Sequence, residues 1–390
     1  MLAVSILGST GSIGTQALDV IGRFPERYRV VALAAGSRVD LLAEQVRRFR
    51  PELAAVATPA AARRLADLLG PAAPEIAVGD EGLVAAATWP AAGAVLTAVV
   101  GTLGLRPTLA AIRAGKRILL ANKETLVAAG ELVMAEARAR RVALIPVDSE
   151  HSALFQCLQG HPVEAVDRLI LTGSGGPFRG WTRAQLAGVT PEQALRHPTW
   201  QMGRKITVDS ATLMNKALEL IEARWLFGVP AERIDVLIHP QSIVHSLVQF
   251  RDGSLLAQLG PTDMRLPIQY ALSYPERLEA PVRPLDLATV GQLTFEVPDA
   301  ATFPSLNYAR AAVTMGGTLP AVMSAANEVA VERFLAGELS FTGIFRVVEG
   351  VMARHENRPH PDLEEILAAD AWARRTARAF PGEDGEPARC

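Results

Sequence analysis

Cysteine is scarce in this sequence, and neither sign of charge is in clear excess. The 390 residues contain two cysteines, Cys157 and Cys390, and a formal net charge of -2. Two thiols so far apart form neither a disulfide framework nor a CxxC motif, so we expect a protein of the reducing cytoplasm. Proteins that bind nucleic acids carry a basic excess or a basic stripe, so no nucleic-acid partner is expected.

The sequence also shows neither a secretory signal nor a convincing membrane span. The first residues carry no basic segment, and their apolar run ends in a glycine-rich turn. The uncharged stretch 83–105 is long enough to cross a bilayer. Because Pro90 and several glycines interrupt it, we interpret it as a helix, a turn and a buried strand at 94–100. No membrane partner is therefore expected.

Length and composition predict several domains, of which the first is of the α/β class. Apolar residues make up 49% of the chain, enough for sizeable cores. Apolar runs alternate with helical stretches over residues 1–147, which predicts an N-terminal Rossmann-like, doubly wound parallel sheet. The strands are expected at 2–8, 29–35, 53–57, 94–100, 117–121 and 142–147. The helices between them are expected at 13–23, 38–49, 59–69 and 123–140.

The pattern changes after Val147, and three further regions are predicted. Residues 148–274 are expected to form a central α+β catalytic domain that carries the metal site, the substrate site and a flexible flap. Its strands are expected at 167–172, 234–238, 242–250 and 254–259, with a long helix at 209–226. The proline-rich residues 275–306 are interpreted as a linker, and residues 307–390 as a C-terminal helical bundle with four helices.

A glycine-rich turn follows the first predicted strand. Gly8, Gly11 and Gly14 are spaced G-x-x-G-x-x-G, whereas the usual dinucleotide fingerprint is G-x-G-x-x-G. Glycines allow a tight turn and a close approach of the backbone to phosphate, and the helix N-terminus adds free N–H groups. The alternative is a structural turn in a flavodoxin-like sheet.

The end of the second strand bears on which nucleotide would bind. NAD enzymes place an acid there, whereas NADP enzymes often place a cation. Here Gly36-Ser37-Arg38 contains no acid, and Ser37 and Arg38 suit a 2′-phosphate. We therefore favour NADP over NAD. Taken alone, Arg38 is equally compatible with a solvated arginine at a helix start.

Two carboxylates, Asp148 and Glu150, follow the last predicted strand of this sheet. If the backbone is extended, residues two apart share a face. Paired carboxylates repel each other, and a divalent cation removes that penalty. The alternative is that the segment Asp148-Ser149-Glu150 caps the N-terminus of a helix.

The helix expected at 209–226 carries a second polar cluster. Asp209 or Ser210 is expected to cap it, and Asn215, Lys216 and Glu219 then lie on one side among apolar residues. Such a buried polar face is costly unless it meets a polar ligand. Glu219 would complete three carboxylates for Mg²⁺ or Mn²⁺, and its neighbours suit a phosphate. An internal pair between Lys216 and Glu219 is the alternative.

Two loops complete the candidate site. The small residues around Ser174 are able to bind phosphate through hydroxyl and amide groups, and they do not form a G-x-S-x-G nucleophile elbow. The segment from His197 to Gly203, with Trp200 and Met202, is interpreted as a lid that excludes water over bound substrate. An ordinary surface loop anchored by Trp200 is the alternative.

Taken together, these segments resemble a known family. The chain resembles the 1-deoxy-D-xylulose 5-phosphate reductoisomerases over essentially its whole length. The motifs that carry the resemblance are GSTGSIG at 8–14, LLANKE at 119–124, PVDSEHSA at 146–153, LTGSGGPF at 171–178, HPTWQMGRKITVDSATLMNKALE at 197–219 and HPQSIVHS at 239–246.

The resemblance implies an activity, its cofactors and its site residues. Members use NADPH and a divalent metal to rearrange and reduce a small sugar phosphate, 1-deoxy-D-xylulose 5-phosphate, to 2-C-methyl-D-erythritol 4-phosphate, for isoprenoid precursor biosynthesis. They are homodimers. The implied metal ligands, which also serve catalysis with Lys123 and His197, are Asp148, Glu150 and Glu219. The implied substrate contacts are Lys123, Ser149, Glu150, Ser174, His197, Ser210, Asn215, Lys216 and Glu219. The implied NADPH site comprises Thr10, Gly11, Ser12, Ile13, Gly36, Ser37, Arg38, Asn122, Glu124 and Gly203.

One departure and two rival interpretations accompany this resemblance. Some members have Lys-Asn at the positions of Ser37 and Arg38, so Arg38 is expected to take the cationic role here. A rival is another two-domain NADP dehydrogenase, of the aspartate-semialdehyde or homoserine type. The semialdehyde type needs a cysteine nucleophile, which neither Cys157 nor Cys390 suggests. The other rival is a catalytically silent NADP-binding redox sensor, which would not need the three carboxylates beside Lys216.

Overall fold

The computed structural model describes residues 1–200 and 202–381, so Cys390 and the rest of 382–390 lie outside the described part. The chain forms two compact units. The first unit comprises Met1–Thr125, Val133–Ser152 and Asp263–Arg283. The second unit comprises Leu126–Leu132, Ala153–Thr262 and the chain from Pro284 onward.

The described residues form the following strands and helices. The strands are β1 (Leu2–Leu7), β2 (Tyr28–Ala35), β3 (Leu53–Val56), β4 (Glu75–Val78), β5 (Ala94–Thr97), β6 (Arg117–Leu120), β7 (Leu144–Pro146), β8 (Val166–Gly173), β9 (Ile234–Ile238), β10 (Val244–Phe250) and β11 (Leu255–Leu259). The helices are α1 (Ser12–Arg23), α2 (Val39–Phe49), α3 (Pro59–Leu69), α4 (Gly79–Thr88), α5 (Leu105–Arg113), α6 (Glu124–Arg140), α7 (Ser149–Cys157), α8 (Arg183–Leu186), α9 (Pro191–Ala194), α10 (Arg204–Ala211), α11 (Met214–Phe227), α12 (Arg265–Ser273), α13 (Leu287–Val290), α14 (Ser305–Met315), α15 (Leu319–Leu335), α16 (Phe341–Ala353) and α17 (Leu363–Arg378).

The first unit is built on the predicted doubly wound sheet. Its seven strands lie in the order β4-β3-β2-β1-β5-β6-β7, and all of them are parallel. The central strands are near-continuous apolar runs because helices cover both faces. The strand order reverses direction between β1 and β5, and ligands of open α/β sheets bind at such a switch point, beyond the carboxyl ends of the strands.

The sequence pattern missed one strand of this sheet. β4 is only four residues long, lies at the sheet edge and includes the exposed Glu75. A short, half-exposed strand leaves neither a continuous apolar run nor a clear alternation, so its sequence resembles a loop. The uncharged stretch 83–105 contains the end of α4 and the strand β5 as expected, but β5 ends at Thr97, and Val100 is 67% exposed.

The second unit contains a mixed sheet and the predicted helical bundle. The four strands lie in the order β11-β10-β8-β9; β10 is antiparallel to both neighbours, and β8 is parallel to β9. The four helices α14 to α17, here called the C-terminal bundle, confirm the helical prediction for 307–380. The core of this unit includes Phe178, Phe334 and Phe341. The ring centroid of Phe341 lies 5.1 Å from that of Phe178 and 5.7 Å from that of Phe334.

The single helix expected at 209–226 is wrong. The chain forms α10 and α11 instead, separated at Thr212 and Leu213. Leu213 has a φ of +60°, in the left-handed region that ends a right-handed helix. Asp209 and Ser210 therefore lie inside α10 and cap nothing; the residue that precedes α10 is Gly203.

The functional division into four regions stays a prediction. The first unit recruits Asp263–Arg283, which the prediction divided between the central domain and the linker. Within 275–306, the short helix α13 and an isolated bridge between Ile238 and Glu296 add the regular structure that the proline-rich pattern did not indicate. Across the described residues, no helix combines the length and apolarity needed to cross a membrane.

Candidate active site

The glycine-rich turn lies where β1 ends and α1 begins, and two of its glycines are sterically required. Gly8 has a φ of +87°, and a Cβ there would lie 2.4 Å from the carbonyl oxygen of Ala98, just after β5. A Cβ on Gly14 would lie 2.3 Å from the carbonyl oxygen of Gly8. The turn is therefore packed tightly at the switch point of the sheet. The first N–H groups of α1 have no helical carbonyl to bind, so they are available to a phosphate.

The segment predicted to select the nucleotide follows β2. Gly36, Ser37 and Arg38 are all exposed, and Arg38 immediately precedes α2. Beside them is a mainly apolar cleft that the sequence did not reveal; its lining includes Gly8, Gly36, Val56, Ala57, Leu83 and Leu103. An apolar cleft next to a phosphate-binding turn suits the flat ring of a nucleotide base. The residues after β3 could not be identified as part of this cleft from the sequence, because small apolar residues there are also typical of a sheet core.

Asn122 and Glu124 follow β6 and are buried together. The Asn122 amide donates to the carbonyl oxygen of Gly101 at 3.0 Å and to the Glu124 carboxylate at 2.8 Å. The Thr125 hydroxyl donates to the Asn122 side-chain oxygen. The orientation of the Asn122 amide is therefore fixed, since its nitrogen and its oxygen both have hydrogen-bond partners.

Lys123 and the Asp148 segment meet within the first unit. The Lys123 ammonium lies 2.8 Å from the Asp148 carboxylate, and the Ser149 hydroxyl donates to Glu150 at 2.7 Å. The expectation that Asp148 and Glu150 share a face of extended backbone is wrong, because Glu150 lies in the first turn of α7. Asp148 accepts the Glu150 N–H at 3.2 Å, which is the helix-start role left open by the sequence. Each carboxylate therefore has a partner that fixes its position.

Three predicted substrate contacts come together in the second unit. The His197 Nε2 atom lies 3.0 Å from the Ser174 hydroxyl and 3.0 Å from the Ser210 hydroxyl. Ser174 follows β8, and the loop that contains it packs against α10. Gly176 in this loop has a φ of +69°, and a Cβ there would lie 2.7 Å from the Ser210 carbonyl oxygen. Residues that are far apart in sequence thus present two hydroxyls and an imidazole to one point.

The hydrogen bonds of His197 determine its tautomer. Its Nδ1 atom accepts the backbone N–H groups of Thr199 at 3.2 Å and Trp200 at 2.9 Å. The pKa of His197 is lowered to about 4, first by burial and then by the charge of Lys216. The ring is therefore neutral near pH 7 and carries its proton on Nε2, pointing toward the serine hydroxyls. All of these groups are able to donate to an anion.

Lys216 and Asn215 lie in the first turn of α11 and both contact Glu219. The Lys216 ammonium and the Asn215 amide each lie 2.5 Å from the Glu219 carboxylate, which is 0% exposed. The internal pair that the sequence left open as an alternative is thus present. This pair uses only part of the hydrogen-bonding capacity of the two groups, because an ammonium has three donors and a carboxylate accepts about four hydrogen bonds. A Cβ on Gly173 would lie 2.9 Å from Lys216 Cε, so this glycine makes room for the lysine.

The segment interpreted as a lid contacts a motif to which the sequence assigned no role. The Trp200 ring centroid lies 6.3 Å from that of His245, and the Thr199 and Ser242 hydroxyls lie 3.4 Å apart. Ser242 and His245 belong to HPQSIVHS at 239–246. Gly203, predicted at the cofactor, is exposed and precedes α10 at the far end of the lid.

Comparisons with known proteins agree with this arrangement along the chain. Sequence models described as 1-deoxy-D-xylulose 5-phosphate reductoisomerase match residues 4–130 and, as a C-terminal domain, 144–227; one described as DXP reductoisomerase C-terminal domain matches 259–376. A 1-deoxy-D-xylulose 5-phosphate reductoisomerase of Symbiobacterium thermophilum is 67% identical over 382 residues, covering 97% of this chain and 98% of the relative.

The chain belongs to the 1-deoxy-D-xylulose 5-phosphate reductoisomerase family. The enzyme of that name from Moorella thermoacetica is 58% identical, over 96% of this chain and 97% of the relative. The structure of the Zymomonas mobilis enzyme in complex with NADPH is 45% identical, with a TM-score of 0.91 over 96% of this chain and 98% of that one. A reductoisomerase structure in complex with NADPH, fosmidomycin and magnesium is 42% identical, with a TM-score of 0.91 over 97% of each chain. The membership confirms the resemblance and decides against the semialdehyde and homoserine dehydrogenases.

Proposed function

We propose that this chain rearranges 1-deoxy-D-xylulose 5-phosphate and reduces the product to 2-C-methyl-D-erythritol 4-phosphate, using NADPH and a divalent cation, Mg²⁺ or Mn²⁺. The observation that carries the proposal is the convergence of Ser174, His197 and Ser210 at 3.0 Å, beside Lys216. Such a set of donors suits a phosphate group. Membership of the family over 97% of the chain supplies the identity of the phosphorylated substrate.

The phosphate group would be bound by neutral donors and one ammonium. Ser174 and Ser210 offer hydroxyls, His197 offers its Nε2 proton, and Lys216 with Asn215 offers charge-assisted hydrogen bonds. Because His197 is neutral in the free protein, it would contribute an Nε2–H donor without adding a positive charge to the site. An anchored phosphate fixes the orientation of the carbon skeleton, and its binding energy is available to hold the lid closed.

The donor set also fits a divalent cation. We propose that Asp148, Glu150 and Glu219 are its ligands, since all three supply the hard oxygen atoms that Mg²⁺ and Mn²⁺ prefer. When bound, the cation would polarise a carbonyl oxygen as a Lewis acid. Lys123 pairs with Asp148 and Ser149 donates to Glu150, so both carboxylates are held in place. Lys123 and Ser149 are proposed as further substrate contacts. The magnesium of the related structure supports this assignment.

The first unit provides a fitting place for the cofactor. The proposed NADPH contacts are Thr10, Gly11, Ser12, Ile13, Gly36, Ser37, Arg38, Asn122, Glu124 and Gly203. When bound, NADPH supplies the hydride. Exposed Arg38 would pair with the 2′-phosphate, and the α1 N-terminus would receive the pyrophosphate. Trp200 and Met202 in the lid would exclude water from the reacting atoms.

We also propose that the chain acts as a homodimer in the cytoplasm, with 1–147 as the NADPH domain, 148–274 as the catalytic domain, 275–306 as a linker and 307–390 as the bundle. The resemblance to the family supports the dimer. The low cysteine content supports a reducing compartment. Sedimentation of the purified protein tests the dimer, which a monomer at micromolar concentration would exclude.

One assay tests the activity. Purified protein should oxidise NADPH when 1-deoxy-D-xylulose 5-phosphate and Mg²⁺ are present, and EDTA should stop the reaction until excess Mg²⁺ is added. NADPH oxidation that ignores EDTA would remove the metal from the proposal. The absence of any oxidation by folded, metal-loaded protein would leave the redox-sensor alternative as the better one.

A further inference from the structure

Helix α10, which carries Ser210, is anchored by a buried polar contact from the C-terminal bundle. Asp209 is 1% exposed, and its carboxylate accepts from the Asn327 amide of α15 at 2.7 Å. The other carboxylate oxygen lies 3.0 Å from the Lys205 ammonium, one turn earlier on α10. Asp209 is therefore neutralised by its own helix and tied to the bundle at the position that precedes Ser210.

A second contact from the bundle fixes the other side of Ser210. Ser305, the first residue of α14, is 0% exposed and donates its hydroxyl to the Thr212 carbonyl oxygen at 2.8 Å. Thr212 lies at the break between α10 and α11, where Leu213 takes its left-handed conformation. The carbonyl groups at such a helix end lack intrahelical partners, so this hydroxyl satisfies one of them. The two anchors lie one residue before Ser210 and two residues after it.

The composition of α15 indicates that Asn327 is not there for packing. Thirteen of the 17 residues of α15 are buried, nearly all of them apolar, and Asn327 is 0% exposed. Its side-chain oxygen has no hydrogen-bond partner among residues 1–200 and 202–381. A half-satisfied buried amide is costly, whereas a leucine there would add apolar burial. Within the described part of the chain, the contact that offsets this cost is the hydrogen bond to Asp209.

We propose that Asn327 and Ser305 are positioning residues for the phosphate group of the substrate, acting through Asp209 and Thr212 on Ser210. This assignment rests on the proposed function, because it takes Ser210 as a phosphate contact. The C-terminal bundle then serves the reaction without touching the substrate. It holds α10 in place.

The test measures phosphate binding in the full-length chain. Asn327→Leu removes the hydrogen bond to Asp209, and we expect the KM for 1-deoxy-D-xylulose 5-phosphate and the inhibition constant of inorganic phosphate to rise about tenfold. The KM for NADPH should stay within twofold. Asn327→Asp opposes two carboxylates and should be worse, and Asp209→Asn in that background restores a donor and an acceptor, so part of the phosphate affinity should return.

The matched control is Ser324→Ala, because Ser324 lies on α15, is 1% exposed and has no hydrogen-bond partner among the described residues. It should leave both constants unchanged. If Asn327→Leu does not fold, Ser305→Ala carries the test, and the same rise is expected. Unchanged phosphate constants in the folded Asn327 or Ser305 variants, or no recovery in the double variant, would overturn the assignment. Wild-type protein that lacks turnover yet binds inorganic phosphate would contradict the proposed function and leave the positioning role standing.

Discussion

Replacing Glu219 by glutamine removes one negative charge from a fully buried position beside Lys216. The carboxylate lies 2.5 Å from both the Lys216 ammonium and the Asn215 amide. Breaking a buried ion pair by removing one partner costs about 3–5 kcal/mol, so the free energy of unfolding should fall by about 3 kcal/mol. Loss of a proposed metal ligand should also weaken Mg²⁺ binding by at least about tenfold, the effect seen for residues that merely support a ligand.

The same change should act in the opposite direction on phosphate. Lys216 would no longer be neutralised by Glu219, so the affinity for inorganic phosphate should hold or increase while turnover falls by about a hundredfold or more. Calorimetric titration with Mg²⁺, inhibition by inorganic phosphate and NADPH oxidation measure the three effects. Glu338→Gln is the control, because its side chain is 64% exposed. Unchanged Mg²⁺ affinity, with turnover within twofold of wild type, would refute the metal role and leave Glu219 as a partner of Lys216.

Three further predictions concern the nucleotide, the phosphate loop and pH. Arg38→Glu should raise the KM for NADPH about tenfold or more and leave NADH almost unaffected; an equal effect on both would contradict the 2′-phosphate role. Ser174→Ala should raise the KM for the phosphorylated substrate about three- to tenfold without changing that for NADPH, and an unchanged KM would make the loop structural. Burial lowers the pKa of His197 from 6.5 to about 4, so the unfolded chain binds the extra proton between these values and stability rises with pH across this window. His197→Gln should remove that slope from denaturant titrations, whereas the same slope in both proteins would disprove the lowered pKa.

Local chemistry in the sequence was sufficient to propose most of the candidate site. The glycines of the turn after β1, the serine and arginine after β2, and Lys216 and Glu219 of α11 each indicate a chemistry within a few residues. Helix and strand periodicity located the strands of the first sheet except β4. This strand has only four residues and is too short and too exposed to show a periodic pattern.

Two inferences failed because they assumed a regular backbone. One of the two interpretations of Asp148-Ser149-Glu150 assumed an extended conformation, but Ser149 begins α7. The stretch 209–226 has an unbroken helical pattern, yet Leu213 adopts a left-handed conformation. At this break the Thr212 carbonyl oxygen accepts the Ser305 hydroxyl from 93 positions away, a contact that the local pattern does not reveal.

The sequence by itself determined the fold class, the glycine-rich turn after β1 and the types of side chain proposed for phosphate and metal, because these depend on residue identity and short-range spacing. Only the tertiary structure decided that Ser174, His197 and Ser210 meet, that His197 is neutral with its proton on Nε2, and that Asn327 holds the helix carrying Ser210. The contacts of Ser174, Ser210 and Asn327 join residues that are 13 to 118 positions apart, and the lowered pKa of His197 depends on burial. No local pattern specifies either of these.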